Sequence, residues 1–216
     1  MTSEELPVVE PPFSGDENNG TNSQPTVVGV ILAAGSSSRY GETNKLLVEW
    51  EDTALVSHAT ETVSQSAVDA TVVVGGEDCK RVQTAVADSD AIVVCNDAYS
   101  AGQSTSVRCG LRAARELNAD AVIFALGDMP AIAVESIDVL VAAYRADVGD
   151  ALAAACDGVR GNPVLFGCRH FEALANITGD IGGRAVFRTD DSAVLVETGD
   201  SGVLVDVDHP RDVESL

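Results

Sequence analysis

Lysine is almost absent from these 216 residues: Lys45 and Lys80 are the two that occur, against 11 arginines. Aromatic side chains are sparse too, at 4%. No uninterrupted apolar run approaches the roughly 18 residues that a helical membrane span needs, so no membrane contact is expected. The start of the chain has no basic segment leading into an apolar one, so no secretory leader is expected. The five cysteines include no CxxC pair and are odd in number, and the three histidines form no HExxH-like pair. Buried thiols in a reducing cytosol fit that pattern better than a disulfide frame or a Cys/His metal centre, and a cytoplasmic location follows as an expectation. Positive charge is so scarce that the formal net charge is −21. Phosphate repels such a chain at long range, which excludes a nucleic-acid-binding surface.

Carboxylates and small apolar residues fill the space. Asp occurs 20 times and Glu 14 times, and hydrophobic residues make up 45%. Dense surface carboxylates hold water and cations, so we read the composition as that of a salt-loving organism's cytosolic protein, loosened by self-repulsion at low ionic strength. In a surface depleted of lysine, a retained lysine has a task. The length suits one α/β domain and is short for two.

Residues 1–25 carry five acidic and no basic residues together with Pro7, Pro11, Pro12 and Pro25, and are expected to form a disordered acidic tail. The domain proper is then 26–216. Val27–Ala33 reads as a buried strand, followed by a helix over Thr53–Ser66 capped by Asp52 or Thr53. Ala70–Val74, Ala91–Cys95 and Ala121–Leu126 are further apolar runs, with helices expected over Ser104–Asn118 and Val134–Arg145. Pro163–Phe166, Ala193–Val196 and Val203–Val207 read as later strands, and Asp180–Phe187 as a short helix. Strands apolar on both faces, alternating with helices, predict a single Rossmann-like three-layer α/β domain with a mostly parallel sheet. Ligands of such sheets bind beyond the carboxyl ends of the strands.

The loop after the first long strand reads Leu32, Ala33, Ala34, Gly35, Ser36, Ser37, Ser38, Arg39, Tyr40, Gly41, and Lys45 follows. Small residues allow a tight turn whose N–H groups cup phosphate oxygens, and Arg39 and Lys45 add positive charge. Neither GxxxxGK[ST] nor GxGxxG is present, which excludes a Walker loop and a dinucleotide fingerprint.

LAAGSSSRYG…K resembles the signature loop of the MobA-like nucleotidyltransferases, LAxGxSxRMG…K, which wraps an NTP triphosphate. Further segments resemble the family in order: Gly102-Gln103-Ser104-Thr105-Ser106, Leu126-Gly127-Asp128-Met129-Pro130, Gly161-Asn162-Pro163-Val164-Leu165-Phe166, Gly179-Asp180-Ile181-Gly182-Gly183-Arg184 and Val207-Asp208-His209-Pro210. Within the family the combination is most similar to the molybdenum cofactor cytidylyltransferases. Tyr40 and Gln103 stand where Met is usual, and His209 where Thr is common. The resemblance implies a nucleotide-diphospho-sugar transferase-like fold. It also implies an NTP substrate (CTP favoured over GTP), molybdopterin cofactor as acceptor, and transient contact with a molybdoenzyme or its chaperone. A guanylyltransferase or a sugar-phosphate nucleotidyltransferase is the alternative, then a non-catalytic cofactor carrier.

On this reading the nucleotide is held by Leu32–Arg39, Lys45, Gly102, Ser104 and Ser106, with Arg39, Lys45 and Asp128 in catalysis. Asp128 ends a buried strand, where a carboxylate either holds Mg²⁺ or caps the next helix. The resemblance names Asp208 as the partner ligand, with Asp206 beside it. Asn162, Pro163, Asp180, Gly183 and Arg184 are the acceptor side, Arg184 at a helix start that suits an anion. Arg108, Arg112 and Arg115 share one helix face and either reach a ligand or pair with carboxylates.

Overall fold

The computed structural model describes residues 6–13, 24–35 and 44–214. In chain order its strands are β1 (Val8–Val9), β2 (Val27–Ala33), a short antiparallel pair β3 (Glu49–Trp50) and β4 (Thr53–Ala54), β5 (Ala70–Gly75), β6 (Ile92–Cys95), β7 (Ala121–Leu126), β8 (Ala151–Cys156), β9 (Val159–Gly167) and β10 (Val194–Glu197). The helices are α1 (Leu55–Gln65), α2 (Cys79–Ala85), α3 (Gln103–Glu116), α4 (Val134–Arg145), α5 (Phe171–Ala175), α6 (Arg184–Arg188) and α7 (Pro210–Val213).

β2 sets the frame. Val27, Ile31 and Ala33 enter one core cluster, while Val28 and Val30 enter the other, as the two-residue repeat of a strand dictates. A strand apolar on both faces needs cover on both. α1 and α4 close the first face, α1 through Val63 against β2 and β7, and α4 with Ile137 and Leu140 against β8 and β9. α3 and α5 close the second, through Val107, Leu111, Phe166 and Leu174. The α/β fold with a mostly parallel sheet, expected from the sequence, is the fold observed.

The eight-stranded sheet has the order β1-β10-β8-β9-β7-β2-β5-β6. Every neighbouring pair is parallel except those made by β9, which runs antiparallel to both β7 and β8. From β2 the chain builds outward through β5 and β6, then crosses back to place β7 on the other side of β2. The carboxyl ends of β2 and β7 therefore diverge into a crevice, the usual ligand position of a doubly wound sheet.

Several expectations are corrected. Val8 and Val9, assigned to a disordered tail, pair in parallel with Leu195 and Val196 at the sheet edge, and Leu6, Val9 and Phe13 pack against the core. Three apolar side chains near the prolines bury more surface than the acidic composition suggested, while Val8 stays exposed. Val203–Val207 is no strand: Ser201–Leu204 is a 3₁₀ turn whose Gly202 presses on the Ala131 carbonyl. The helix expected over Asp180–Phe187 begins at Arg184, because Gly182 and Gly183 precede it without a side-chain cap. Neither Asp52 nor Thr53 caps α1, whose N-cap is Ala54 without a side-chain bond. Cys79 and Cys95 are joined in a disulfide, against the expectation of buried thiols. Their Cα atoms lie 5.7 Å apart because the chain after β5 turns back into α2 beside the end of β6.

Candidate active site

Lys45 opens a 3₁₀ turn, Lys45–Leu47, capped by Asn44, whose Oδ1 accepts from the Leu46 N–H at 3.0 Å. Asn44 also donates through Nδ2 to Asp78 at 3.1 Å, which ties the turn to the start of α2. Gly127 and Asp128 follow β7, and the Gly127 N–H donates to Leu32 on β2 at 3.1 Å. The C-terminal segment closes over this loop through the Val207 N–H, which donates to the Asp128 carbonyl at 2.9 Å.

These three segments converge on one ammonium. Lys45 Nζ lies 2.6 Å from Asp128 Oδ2, 3.0 Å from Asp208 Oδ1 and 3.0 Å from the Val207 carbonyl oxygen. The Lys45 and Asp128 side chains are largely covered, and that of Asp208 is 40% exposed. Burial works against the lysine's charge, yet Asp128 and then Asp208 outweigh it and hold the pKa above its ordinary value. Asp206, the alternative to Asp208, lies outside any strand. Burial first, then the carboxylates of Asp208 and Asp128, push its pKa up. Among the described residues the site therefore gathers negative charge around one cation, Lys45.

Beside this cluster is a cavity of about 600 Å³. Leu32, Ala34, Gly35, Lys45 and Asp128 form one wall, and Gly102, Ser106 and Asp180 the opposite one. Ser36, Ser37, Ser38 and Arg39, expected to bind nucleotide, lie outside the described residues. Gly102 precedes α3 at φ 103°, and a Cβ there would stand 2.5 Å from the Gly179 carbonyl oxygen, so only glycine fits. The Ser104 N–H donates to that same carbonyl at 3.1 Å. Ser104 itself is buried and does not line this cavity, unlike Ser106. Asn96, which the sequence reading missed, donates to Thr105 Oγ1 at 2.8 Å and Ser106 Oγ at 3.0 Å, fixing the first turn of α3.

A second cavity of about 380 Å³ shares Leu32, Gln103 and Leu126 with the first. Of the residues assigned to the acceptor side, Asn162, Gly183 and Arg184 line it, whereas Pro163 is buried and Asp180 lines the first cavity. Arg160 also lines it and was missed, since a lone arginine ahead of Gly161 carries no spacing signal. α6 has five residues, too short for a helix-end anion site, so side chains carry the chemistry there. Arg108 donates to the Ile177 carbonyl and Arg115 pairs with Glu172 at 3.9 Å, so both brace α3 instead of reaching a ligand.

Among the described residues no group of three His, Cys, Asp or Glu forms a metal cluster. Asp128 at the cavity wall, with Asp208 joined to it through Lys45, suits a hard cation that completes its shell with phosphate oxygens and water.

Comparison with known proteins is consistent with this geometry. The sequence profile of the MobA-like NTP transferase domain matches residues 29–194. The purine catabolism protein PucB of Bacillus subtilis is 30% identical over 202 residues, covering 89% of this chain and 96% of that protein. Nicotine blue oxidoreductase of Paenarthrobacter nicotinovorans is 29% identical over 196 residues, covering 88% and 95%. Among solved structures, Rv0371c of Mycobacterium tuberculosis superposes with a TM-score of 0.77 at 25% identity, over 89% of this chain and 98% of that one. A nucleotidyl transferase from Methanothermobacter thermautotroptrophicus shares the fold, with a TM-score of 0.73 at 22% identity over 88% and 95%.

Proposed function

The chain belongs to the MobA-like NTP transferase family, and from that premise we propose that it transfers a cytidylyl group from CTP to the terminal phosphate of molybdopterin cofactor, releasing pyrophosphate. The observation that carries this reading is the junction of Lys45, Asp128 and Asp208, whose Lys45 and Asp128 line a cavity that shares Leu32, Gln103 and Leu126 with a smaller one. One cavity suits a nucleotide and the other an acceptor.

An acceptor phosphate oxygen attacks the α-phosphorus, the bond to the β-phosphate breaks, and the electron pair leaves with pyrophosphate. The nucleophile is already ionised, so no general base is required, and no histidine lines either cavity. Alignment and charge neutralisation supply the catalysis. Ala34 and Gly35, which line the larger cavity, present backbone to the phosphates. Lys45 neutralises charge on the transferring and leaving phosphates. Asp128 and Asp208 would hold Mg²⁺, which supplies Lewis-acid neutralisation of the phosphate oxygens when bound. Asn162, Gly183 and Arg184 hold the acceptor. The Ala34 side chain narrows the nucleotide wall, favouring a pyrimidine over a purine.

The test is pyrophosphate release with each of the four NTPs, with and without molybdenum cofactor, in molar KCl. Cofactor-dependent release with CTP is expected, and Ala34→Gly should shift kcat/KM toward GTP by about tenfold, the scale of one methyl group in a pocket. A parent that prefers GTP overturns the cytidylyl assignment. The name of the Paenarthrobacter relative raises an oxidoreductase reading, which instead requires nicotinamide oxidation without NTP.

A further inference from the structure

Among the described residues of this chain of net charge −21, three arginines stand with neither a carboxylate nor a hydrogen-bond acceptor beside them. Arg108 and Arg112 also lack a carboxylate but donate to the Ile177 carbonyl and to Cys109 Sγ. Arg81, Arg115, Arg145, Arg169 and Arg211 each meet a carboxylate within 4.0 Å. Arg160, Arg184 and Arg188 meet none among the described residues. They are also neighbours. Arg160 and Arg184 line the smaller cavity, and Arg188 lies one turn beyond Arg184 on α6.

Arg160 is the informative member. It projects from β9, its guanidinium 4.7 Å from the centre of the Phe187 ring, and its Nε is buried without a hydrogen-bond partner. Burial, and then the positive charges of Arg184 and Arg188, depress its pKa below the ordinary arginine value. Stacking on Phe187 recovers part of the desolvation cost but leaves like charges facing one another. With so many carboxylates and carbonyls available, a purely structural arginine would be expected to have one beside it, as Arg108 has the Ile177 carbonyl.

We propose that Arg160, with Arg184, binds a second anionic group of the acceptor, distinct from the phosphate that becomes nucleotidylated. This deepens the transferase reading and rests on it for the word acceptor. The reacting phosphate belongs where the two cavities meet, near Leu126 and Asp128. The arginines lie at the other side of the smaller cavity, and Phe124, Phe166 and Val164 line the space that they share with it. A planar guanidinium fork matches an oxyanion, and aromatic walls match a flat or apolar body. The acceptor class is therefore a phosphate monoester whose body carries another anionic centre. A monophosphate of a neutral sugar offers nothing to Arg160, so the sugar-phosphate alternative loses ground.

The experiment uses the full chain at fixed ionic strength, with Arg160→Met, Arg160→Lys and, as a charge-matched control, Arg115→Met. Calorimetric titration with inorganic sulfate, without nucleotide, reports the anion site directly. Arg160→Met should weaken sulfate at least about tenfold, equivalent to about 1.4 kcal/mol, with Arg160→Lys intermediate and Arg115→Met unchanged. Steady-state kinetics should show a matching rise in KM for the acceptor with KM for the NTP unmoved. Circular dichroism confirms that each variant is folded, and Arg160→Lys keeps the test decisive if Arg160→Met is not. Sulfate binding equal in a folded Arg160 variant and the parent overturns the proposal, as does an equal rise in both KM values. Sulfate binding that depends on Arg160 in a protein that turns over no NTP supports the anion site and refutes the transferase reading alone.

Discussion

Lys45 is held at 2.6 Å from Asp128 and 3.0 Å from Asp208, so it occupies the position that a divalent cation would take between those carboxylates. On the proposed mechanism, metal loading would require the ammonium to swing away, and a triphosphate in the adjoining cavity would be the partner that draws it off. Metal and nucleotide are then linked, each tightening the other. Mn²⁺ binding followed by electron paramagnetic resonance should be at least about tenfold tighter with CTP present than without it, a coupling within the usual range. Equal affinity in both states would remove Lys45 from that role. Lys45→Ala should lower turnover by about a hundredfold to a thousandfold, the scale for losing one preorganised charge contact. Asp128→Ala should abolish turnover with an unchanged circular dichroism spectrum, because the Val207 N–H docks on the Asp128 backbone carbonyl, which survives the substitution. Residue by residue, the site was legible where charge was rare. Lys45 stood out among two lysines and Asp128 ended an apolar run. Arg160 did not stand out, since its significance lies in a missing carboxylate, and that is a property of space alone.

At the level of elements, long periodic segments were readable and context-dependent ones were not. Val134–Arg145 is the helix that its spacing predicts, with Ile137, Leu140 and Val141 inward. β8 escaped the reading altogether. Its sequence, ALAAAC, favours helix by intrinsic propensity, yet all six residues are buried between β10 and β9. The disulfide escaped for a related reason: Cys79 and Cys95 are 16 residues apart, and their meeting depends on β5 and β6 lying side by side. That bond joins supports of both cavity walls. Asp78, next to Cys79, holds Asn44 beside Lys45, and Asn96, next to Cys95, holds Thr105 and Ser106 at the start of α3. Closing a loop of this length contributes about 3 kcal/mol against the unfolded chain. Reduction should release two thiols in a dithionitrobenzoate titration and raise KM for the nucleotide several-fold with kcat nearly constant. An unchanged KM in the fully reduced protein would confine the bond to a structural part.

Taken whole, the molecule is a two-faced apolar sheet inside a strongly acidic shell. The core is conventional in kind, so the net charge of −21 must be borne at the surface. Screening should decide the stability: the melting temperature is expected to be clearly higher at ~2 M than at ~0.1 M KCl, where the Debye length is about 10 Å. Coincident melting curves would defeat the halophilic reading. The sheet itself ends in a two-residue edge flanked by Pro7, Pro11 and Pro12, which blocks further pairing as prolines at an exposed edge do. That edge also has a consequence in time. β1 leaves the ribosome before every other strand of its sheet, yet its partner β10 is the last of them to emerge. Val8 and Val9 must wait until Leu195 and Val196 have been made, so the sheet is sealed last by the strand of it that was made first.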